Sequence, residues 1–398
     1  MTYSFIDDGH VSSPAGFRAT GVAAGLKEVR SRDLALIYSQ RPCVTAAIFT
    51  TNAVVAASVY LSQAVLARNA DGIRAVLANA GCANAATGQP GLTAAIECAK
   101  IVADELEVPR DSVLLLSSGT VGSSLPVEKM RDGIRRAASE LDSSGGRRAA
   151  LAMLNSEGKP KERAARVSLG DGRSAVVAGL ARAGRPTHMR AGARQAILTT
   201  DAPIASGLLT RALEQSYNRS FGRLAIDDEP SSNDTFVLLA NGAVGGELID
   251  SPSSPAYAAW QAALDAVCDD LALQTIRDAA SGGKVLTITV RGALSEPDAQ
   301  QIARAIARSR AVRWACSRAA TDWSGILTAV GASASDLRAN LLEIRIGSQT
   351  VLSEGVASRA ESAALIQILS GPEIELLVDL HIGNVSASVW TALPDSTI

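Results

Sequence analysis

Ser118 and Gly119 stand between an apolar run, Ser112-Val113-Leu114-Leu115-Leu116, and a helix expected to start at Leu125-Pro126. A hydroxyl and backbone N–H groups at such a strand exit can point at a carbonyl oxygen as negative charge develops on it, which is the chemistry of an oxyanion turn. A plain strand-to-helix turn has the same composition, because Ser and Gly also suit caps and tight turns. A second candidate is the stretch from Gly179 to Asp201. It leaves one apolar run, Ser174 to Ala178, crosses Arg-, Gly- and Pro-rich chain, and re-enters another at Ala196-Ile197-Leu198. Within it Thr187 and His188 pair a hydroxyl with an imidazole base. Nothing in the spacing sets their geometry, and surface loop residues read the same way. Asn79 to Gly88 and Asn233-Asp234-Thr235 are two more polar loops at the ends of apolar runs; the latter also reads as an Asx turn without a ligand.

These loops need a scaffold, and the chain can supply a large one. Its 398 residues are 47% hydrophobic and 20% charged, a globular composition with room for two or three domains. Aromatics make up only 4%, so the core must be packed from Ala, Val, Leu and Ile. A net charge of −2 gives no electrostatic case for nucleic acid, and no apolar run approaches membrane-spanning length. The first ten residues lack the basic start and apolar stretch of a secretory signal. Five dispersed cysteines without a CxxC pair fit a reducing cytoplasm, and three distant histidines offer no metal-ligand spacing. No metal and no cofactor is expected.

Strands and helices alternate. Leu34 to Tyr38 and Val44 to Phe49 read as buried strands around a Gln40-Arg41-Pro42 turn; Ala75 to Asn79 and Ser112 to Leu116 follow, with a helix from Gly91 to Leu106 between them. Ser143 to Arg147 reads as an exposed link. Helices are expected over Pro203 to Phe221 and Ala256 to Ala279, and a strand at Leu224 to Ile226 leads into a polar turn before the strand Phe236 to Ala240. The last third, with strands at Val285 to Val290, Leu341 to Ile346 and Glu375 to His381 and a helix from Asp298 to Ser309, reads as a smaller α/β domain.

Several short motifs occur in a telling order: Gly21-Val22-Ala23-Ala24-Gly25, Phe49-Thr50-Thr51-Asn52, Asn79 through Gly88 with Asn84, Ser117 through Gly122, Thr199-Thr200-Asp201, and Ser231-Ser232-Asn233-Asp234-Thr235. Together, from about Gly16 to Thr391, they make the chain resemble the bifunctional glutamate/ornithine N-acetyltransferase family of arginine biosynthesis. The resemblance implies an α/β fold: a four-layer αββα sandwich over residues 1–275, with a small inserted α/β subdomain around 125–175, and a C-terminal α/β domain over 276–398. It also implies an amino-acid or acyl-amino-acid ligand met by Arg182, Asn79 and Asn84, and an oxyanion turn at Ser118 and Gly119. A cytoplasmic oligomer, of the chain itself or with an active paralogue, is the matching expectation.

Family members cut themselves before a threonine whose hydroxyl then carries the acetyl group. Counting back without a gap from Thr199-Thr200-Asp201, that threonine falls on Ala193 and the family lysine on Arg182. A methyl group can neither attack a carbonyl nor carry an acyl group, and loss of a nucleophile costs on the order of 10⁶ in rate. Arg keeps the charge of Lys but does not release its proton. The family's acidic glutamate falls on Ala280, its Asp-Pro-Asn-Trp-Gly-Arg segment appears as Ala320 to Gly325, and the sequence ends at Ile398 without the family's C-terminal tail. The expectation is therefore an unprocessed family member without covalent threonine chemistry. The alternative is an active amino-acid N-acyltransferase working by direct transfer or through a displaced nucleophile.

Overall fold

A computed structural model describes the chain except residues 1–2, 28–30, 156–157, 171, 184–192, 227–228 and 394–398. It divides into two compact units, Met1–Phe221 with Glu229–Thr275, and Gly222–Asp228 with Ile276–Ile398.

The larger unit holds β1 (Tyr3–Phe5), β2 (Phe17–Val22), β3 (Leu34–Phe49), α1 (Ala57–Asn69), β4 (Ile73–Asn79), α2 (Gly88–Leu106), β5 (Val113–Ser117), α3 (Val127–Ser139) and α4 (Gly146–Met153). It continues through β6 (Lys161–Ser168), β7 (Ser174–Arg182), β8 (Gln195–Thr200), α5 (Ser206–Arg219), β9 (Thr235–Ala240) and α6 (Pro255–Ala280), whose last turn falls in the second unit. Its strands form one ladder in the order β1-β6-β7-β8-β9-β3-β4-β5, with β2 on the other edge of β3.

The long strand β3 makes this ladder into two layers. Its first half pairs with β2 and β4, and its second half, Val44 to Phe49, pairs with β9. Side chains alternate across a strand, so each layer has two faces. Ala35, Ile37, Val76, Ala78, Leu114 and Leu116 of the first layer meet Leu180, Ile197, Val237 and Leu239 of the second in a shared interior. Leu34, Leu36, Ala75, Leu77, Val113 and Leu115 point the other way, into α2 and α3. On the outer face of the second layer α5 and α6 pack: Tyr217 stands edge-on to Phe236 at 4.8 Å, and the Trp260 indole N–H donates to Thr200 Oγ1 at 3.2 Å. The result is a four-layer αββα sandwich. Each fully buried aliphatic side chain in these layers contributes roughly 1.5–3 kcal/mol.

Several local expectations change. Gln40-Arg41-Pro42 is not a turn: β3 runs through it as one strand with a register shift between Tyr38 and Cys43. Proline, without an N–H, is tolerated there because these three residues are exposed where the strand passes from one set of partners to the other. Ser143 to Arg147 is not wholly an exposed link, since Gly145 and Gly146 are buried and α4 starts at Gly146. A Cβ on Gly145 would lie 1.8 Å from the Ala19 carbonyl oxygen, so only glycine lets the chain pass. Leu224 to Ile226 makes a single bridge, Leu224 to Trp390, rather than a strand, its backbone being held by Ala225 N–H to Trp390 O at 2.8 Å. Residues 125–175 supply α3 to the layer over β4 and β5, α4 to the shared interior, and β6 with the start of β7 to the second layer.

The smaller unit carries β10 (Lys284–Ala293), α7 (Glu296–Arg308), α8 (Arg310–Arg318), α9 (Ser324–Ser333), β11 (Glu343–Ile346), β12 (Gln349–Ser353), β13 (Val356–Ala357), α10 (Ser362–Ser370), β14 (Glu373–Asp379) and β15 (Val385–Leu393). The strands form one mixed sheet in the order β13-β12-β11-β14-β10-β15. Ile302 and Ile306 of α7 join Leu286, Ile288 and Leu376 in its core. The Lys284 ammonium donates to Cys316 O, Ser317 O and Leu369 O, satisfying carbonyls at the ends of α8 and α10. No helix among the described residues is long and apolar enough to cross a membrane.

Candidate functional site

The parallel pair β4–β5 ends at Asn79 and Ser117, while the parallel pair β8–β9 begins at Gln195 and Thr235. Side-chain hydrogen bonds bring these strand ends together. The Gln195 amide nitrogen donates to Ser117 O at 2.9 Å and Asn233 O at 3.1 Å. The Asn233 amide donates to Ala83 O at 2.7 Å and to the same Ser117 O at 2.9 Å. Asn233 is therefore a cross-layer brace rather than the isolated Asx turn its sequence allows. Asn79, Ser117, Ser118, Gln195, Asn233 and Asp234 are all buried.

The Ser118–Gly119 turn, expected from sequence to face an oxyanion, sits on this brace. Ser118 donates both its N–H (3.0 Å) and its hydroxyl (3.1 Å) to the Asn79 carbonyl. Gly119 has φ +134°, and a Cβ there would lie 2.2 Å from Gly81 C, so the turn requires glycine by conformation and by space. The Asn79 amide donates to Cys82 O at 2.8 Å. Asn84 spends its amide on Gly91 O and shapes the 79–88 loop with φ +48°. Cys82 offers no substitute nucleophile, because burial pushes its thiol above the usual range.

Ala193 is buried two residues before β8. The next residue is locked: the Arg194 N–H donates to Asp234 Oδ1 at 2.7 Å, and its guanidinium meets Asp234 Oδ2 at 2.9 Å. Arg182 is not a solvated loop cation. It is the last residue of β7, paired with Gln195 across the ladder and only 3% exposed. Thr187 and His188 lie outside the described residues. Ala280, the last residue of α6, is buried in the second unit.

The Thr199-Thr200-Asp201 motif serves the opposite end of β8. Thr199 donates to Val11 O and Thr200 to Val176 O, while the Asp201 carboxylate accepts the N–H groups of Ala15 and Val176. Phe49-Thr50-Thr51-Asn52 likewise braces the 230–235 loop through Thr50 to Ser231 O and Asn52 to Pro230 O. These motifs build the scaffold.

Two buried atoms of the cluster, Ser117 Oγ and Gln195 Oε1, have no hydrogen-bond partner among the described residues. With its nitrogen committed to two carbonyls, the Gln195 amide cannot be flipped, and its oxygen is an acceptor awaiting a donor. Gln195 and Arg194 were not singled out from sequence, and Asn233 and Asp234 stood out only as a polar turn, not as the partners of Ser117 and Arg194. Only the Ser231 to Thr235 motif gave a signal, because the others depend on pairings between distant strands. Among the described residues no group of His, Cys, Asp and Glu is arranged to hold a metal ion.

The layers and this cluster define an αββα sandwich protein with a buried polar cluster at the ends of its central strands. The model of the ArgJ family matches residues 18–393, and the chain belongs to the ArgJ family. The arginine biosynthesis bifunctional protein ArgJ of Symbiobacterium thermophilum is 34% identical over 384 residues, covering 96% of this chain and 94% of that protein. The protein of the same description from Mycolicibacterium paratuberculosis is 36% identical over 389 residues, covering 96% and 92%. Among solved structures, the ornithine acetyltransferase of Mycobacterium tuberculosis complexed with ornithine is 32% identical, with a TM-score of 0.42, and covers 48% of this chain and 100% of that one.

Proposed function

We propose that this chain works as a single unprocessed polypeptide that keeps a site for an amino acid or acyl-amino acid and does not transfer acetyl through a covalent threonine. The observation that carries the reading is the methyl of Ala193, buried two residues before β8 at the position where the family resemblance puts the attacking hydroxyl. The amide before Ala193 has no hydroxyl on its C-terminal neighbour to cleave it. Ala280 at the resemblance's acid position offers no proton. Gln195 Oε1, buried without a hydrogen-bond partner among the described residues, suits a ligand N–H. The description of the 34–36% identical relatives as arginine biosynthesis proteins supports an amino-acid ligand.

A displaced nucleophile has less support. The Ser118 hydroxyl donates to Asn79 O, and no imidazole or carboxylate among the described residues accepts its proton. The test is the intact mass of the purified protein before and after incubation with N-acetylornithine. One species near 41.0 kDa without an acetyl adduct is expected. Two fragments, the second starting between Thr187 and Thr200, or a stable acetylated species, would overturn the reading.

A further inference from the structure

The segment between β1 and β2 is bound to the end of β8 away from the Gln195 cluster: Thr199 donates to Val11 O at 2.6 Å, and Asp201 accepts the Ala15 N–H at 2.8 Å. It forms part of a concavity of about 340 Å³, lined by Ser12, Ser13, Arg18, Gln40, Asp142 and Ser143 together with the turn over 14–17. The charged side chains in this lining are one cation, Arg18, and one anion, Asp142. Concavities of this size with a few fixed polar groups suit small molecules.

The frame is held by its backbone. The Asn241 amide donates to Ala15 O at 2.9 Å, the Gln40 N–H to Gly16 O at 2.8 Å, and the Ala19 N–H to Asp142 O at 2.9 Å. Ser13 Oγ accepts the His10 N–H at 2.9 Å, and Ser12 Oγ lies 3.2 Å from His10 Nδ1, so both hydroxyls are placed. The groups that could recognise a ligand are not spent on the fold. The side chains of Arg18, Gln40 and Ser143 form no hydrogen bond or ion pair among the described residues. Asp142 uses one carboxylate oxygen, Oδ1, on the Ser144 hydroxyl and on the Ser144 N–H at 2.7 Å, which leaves Oδ2 for another donor. The two Ser144 bonds, helped by the charges of Arg148 and Arg18, hold this carboxyl below its usual range, so it is an anion at neutral pH. Arg148 itself is turned to Thr20 Oγ1 and Glu140 O, and Asp201 to the N–H groups of Ala15 and Val176. Arg18 thus acts on Asp142 without closing an ion pair with it. A simple anion drawn to Arg18 would be repelled by Asp142, and a simple cation the reverse; a molecule that carries both charges gains from both.

We propose that this concavity is a second binding site, separate from the strand-end cluster, for a small zwitterion: an α-amino acid whose carboxylate meets Arg18 and whose ammonium meets Asp142. L-Alanine is the probe, and propionate and ethylammonium, each keeping one of its two charges, are the controls. In the full chain at pH 7 and fixed ionic strength, L-alanine should shift the backbone amide resonances of Arg18 and Ser143 saturably, with an affinity at least tenfold above either control. Arg18→Gln and Asp142→Asn should each weaken it at least fivefold. Both positions are exposed, and an amide at 142 still accepts the Ser144 N–H, so neither change should disturb the fold. Gln195→Leu should leave the affinity read at these two amides within twofold. Absence of a saturable shift, equal affinity for propionate or ethylammonium, or unchanged affinity in either charge variant would each overturn the zwitterion site. Loss of the shift in Gln195→Leu would overturn its separateness. None of these outcomes depends on whether the chain is cleaved or acetylated.

Discussion

Two buried polar clusters in the larger unit differ in how completely they are closed. In the seam between α5 and α6, Asp265 Oδ1 accepts from Ser216 and Gln261, and Oδ2 accepts from Gln215 and Arg219. At the strand ends, by contrast, Ser117 Oγ and Gln195 Oε1 are buried without a partner among the described residues. A closed network stabilises and specifies the fold, whereas unmatched buried groups lower stability unless something binds them. The seam is thus closed within the fold, whereas the strand-end cluster leaves two polar atoms unmatched among the described residues, the place where the proposed ligand would complete it.

The strongest perturbation of the strand-end cluster is at its backbone. Gly119→Ala forces a Cβ against Gly81 C and Cys82 N in a left-handed conformation, and should cost about 4 kcal/mol in urea unfolding. Asp265→Ala strips partners from the buried Ser216 and Gln261 and should cost about 3 kcal/mol by the same measurement. Gln195→Leu removes two donated bonds together with one unmatched acceptor. Ser117 O and Asn233 O keep their bonds from Asn233 and Thr235, so stability should change by no more than about 1 kcal/mol. In the same variant, thermal stabilisation by ornithine should disappear. A cost for Gln195→Leu equal to that of Asp265→Ala would end the distinction between the clusters.

The smallest effect is a pH dependence. Burial raises the Asp201 carboxyl above 3.8, against the N–H groups of Val176 and Ala15 that favour its charge. The native state then holds this proton more readily than the unfolded chain, so its contribution to stability is present at low pH and is lost as pH rises through the folded-state value. In urea midpoints measured upward from pH 3.8, Asp201→Asn should remove a small downward slope that the wild type shows.

Much of the framework was legible in sequence because its causes are local. The runs that became β4, β5, β8, β9, β10 and β14 carry dense aliphatic residues bounded by Gly, Asn or Asp, and the helices became α2, α5, α6 and α7 within a few residues of their expected limits. Pro42 misled because a proline-containing triplet usually ends a strand, whereas here the strand changes partners across it. Arg182 looked like loop because charge is a local signal, but its burial follows from β7 extending to pair Arg182 with Gln195. The braces of the site were the least visible. Gln195 and Ser117 are 78 residues apart, and Asn233 and Ala83 are 150 apart.

By itself the sequence determined that position 193 carries a methyl, that 118–119 is Ser-Gly, and that the core is made of small aliphatic residues, since these are facts of covalent chemistry and composition. Only the tertiary structure decided that Asn79, Ser117, Gln195 and Asn233 meet at one end of two stacked layers, that Arg182 is buried, and that Ser117 Oγ and Gln195 Oε1 there find no partner among the described residues. The reason is geometric. Alternation along a strand shows which face a residue takes, but which distant strand end it meets depends on how the long strand β3 shares its partners between the two layers.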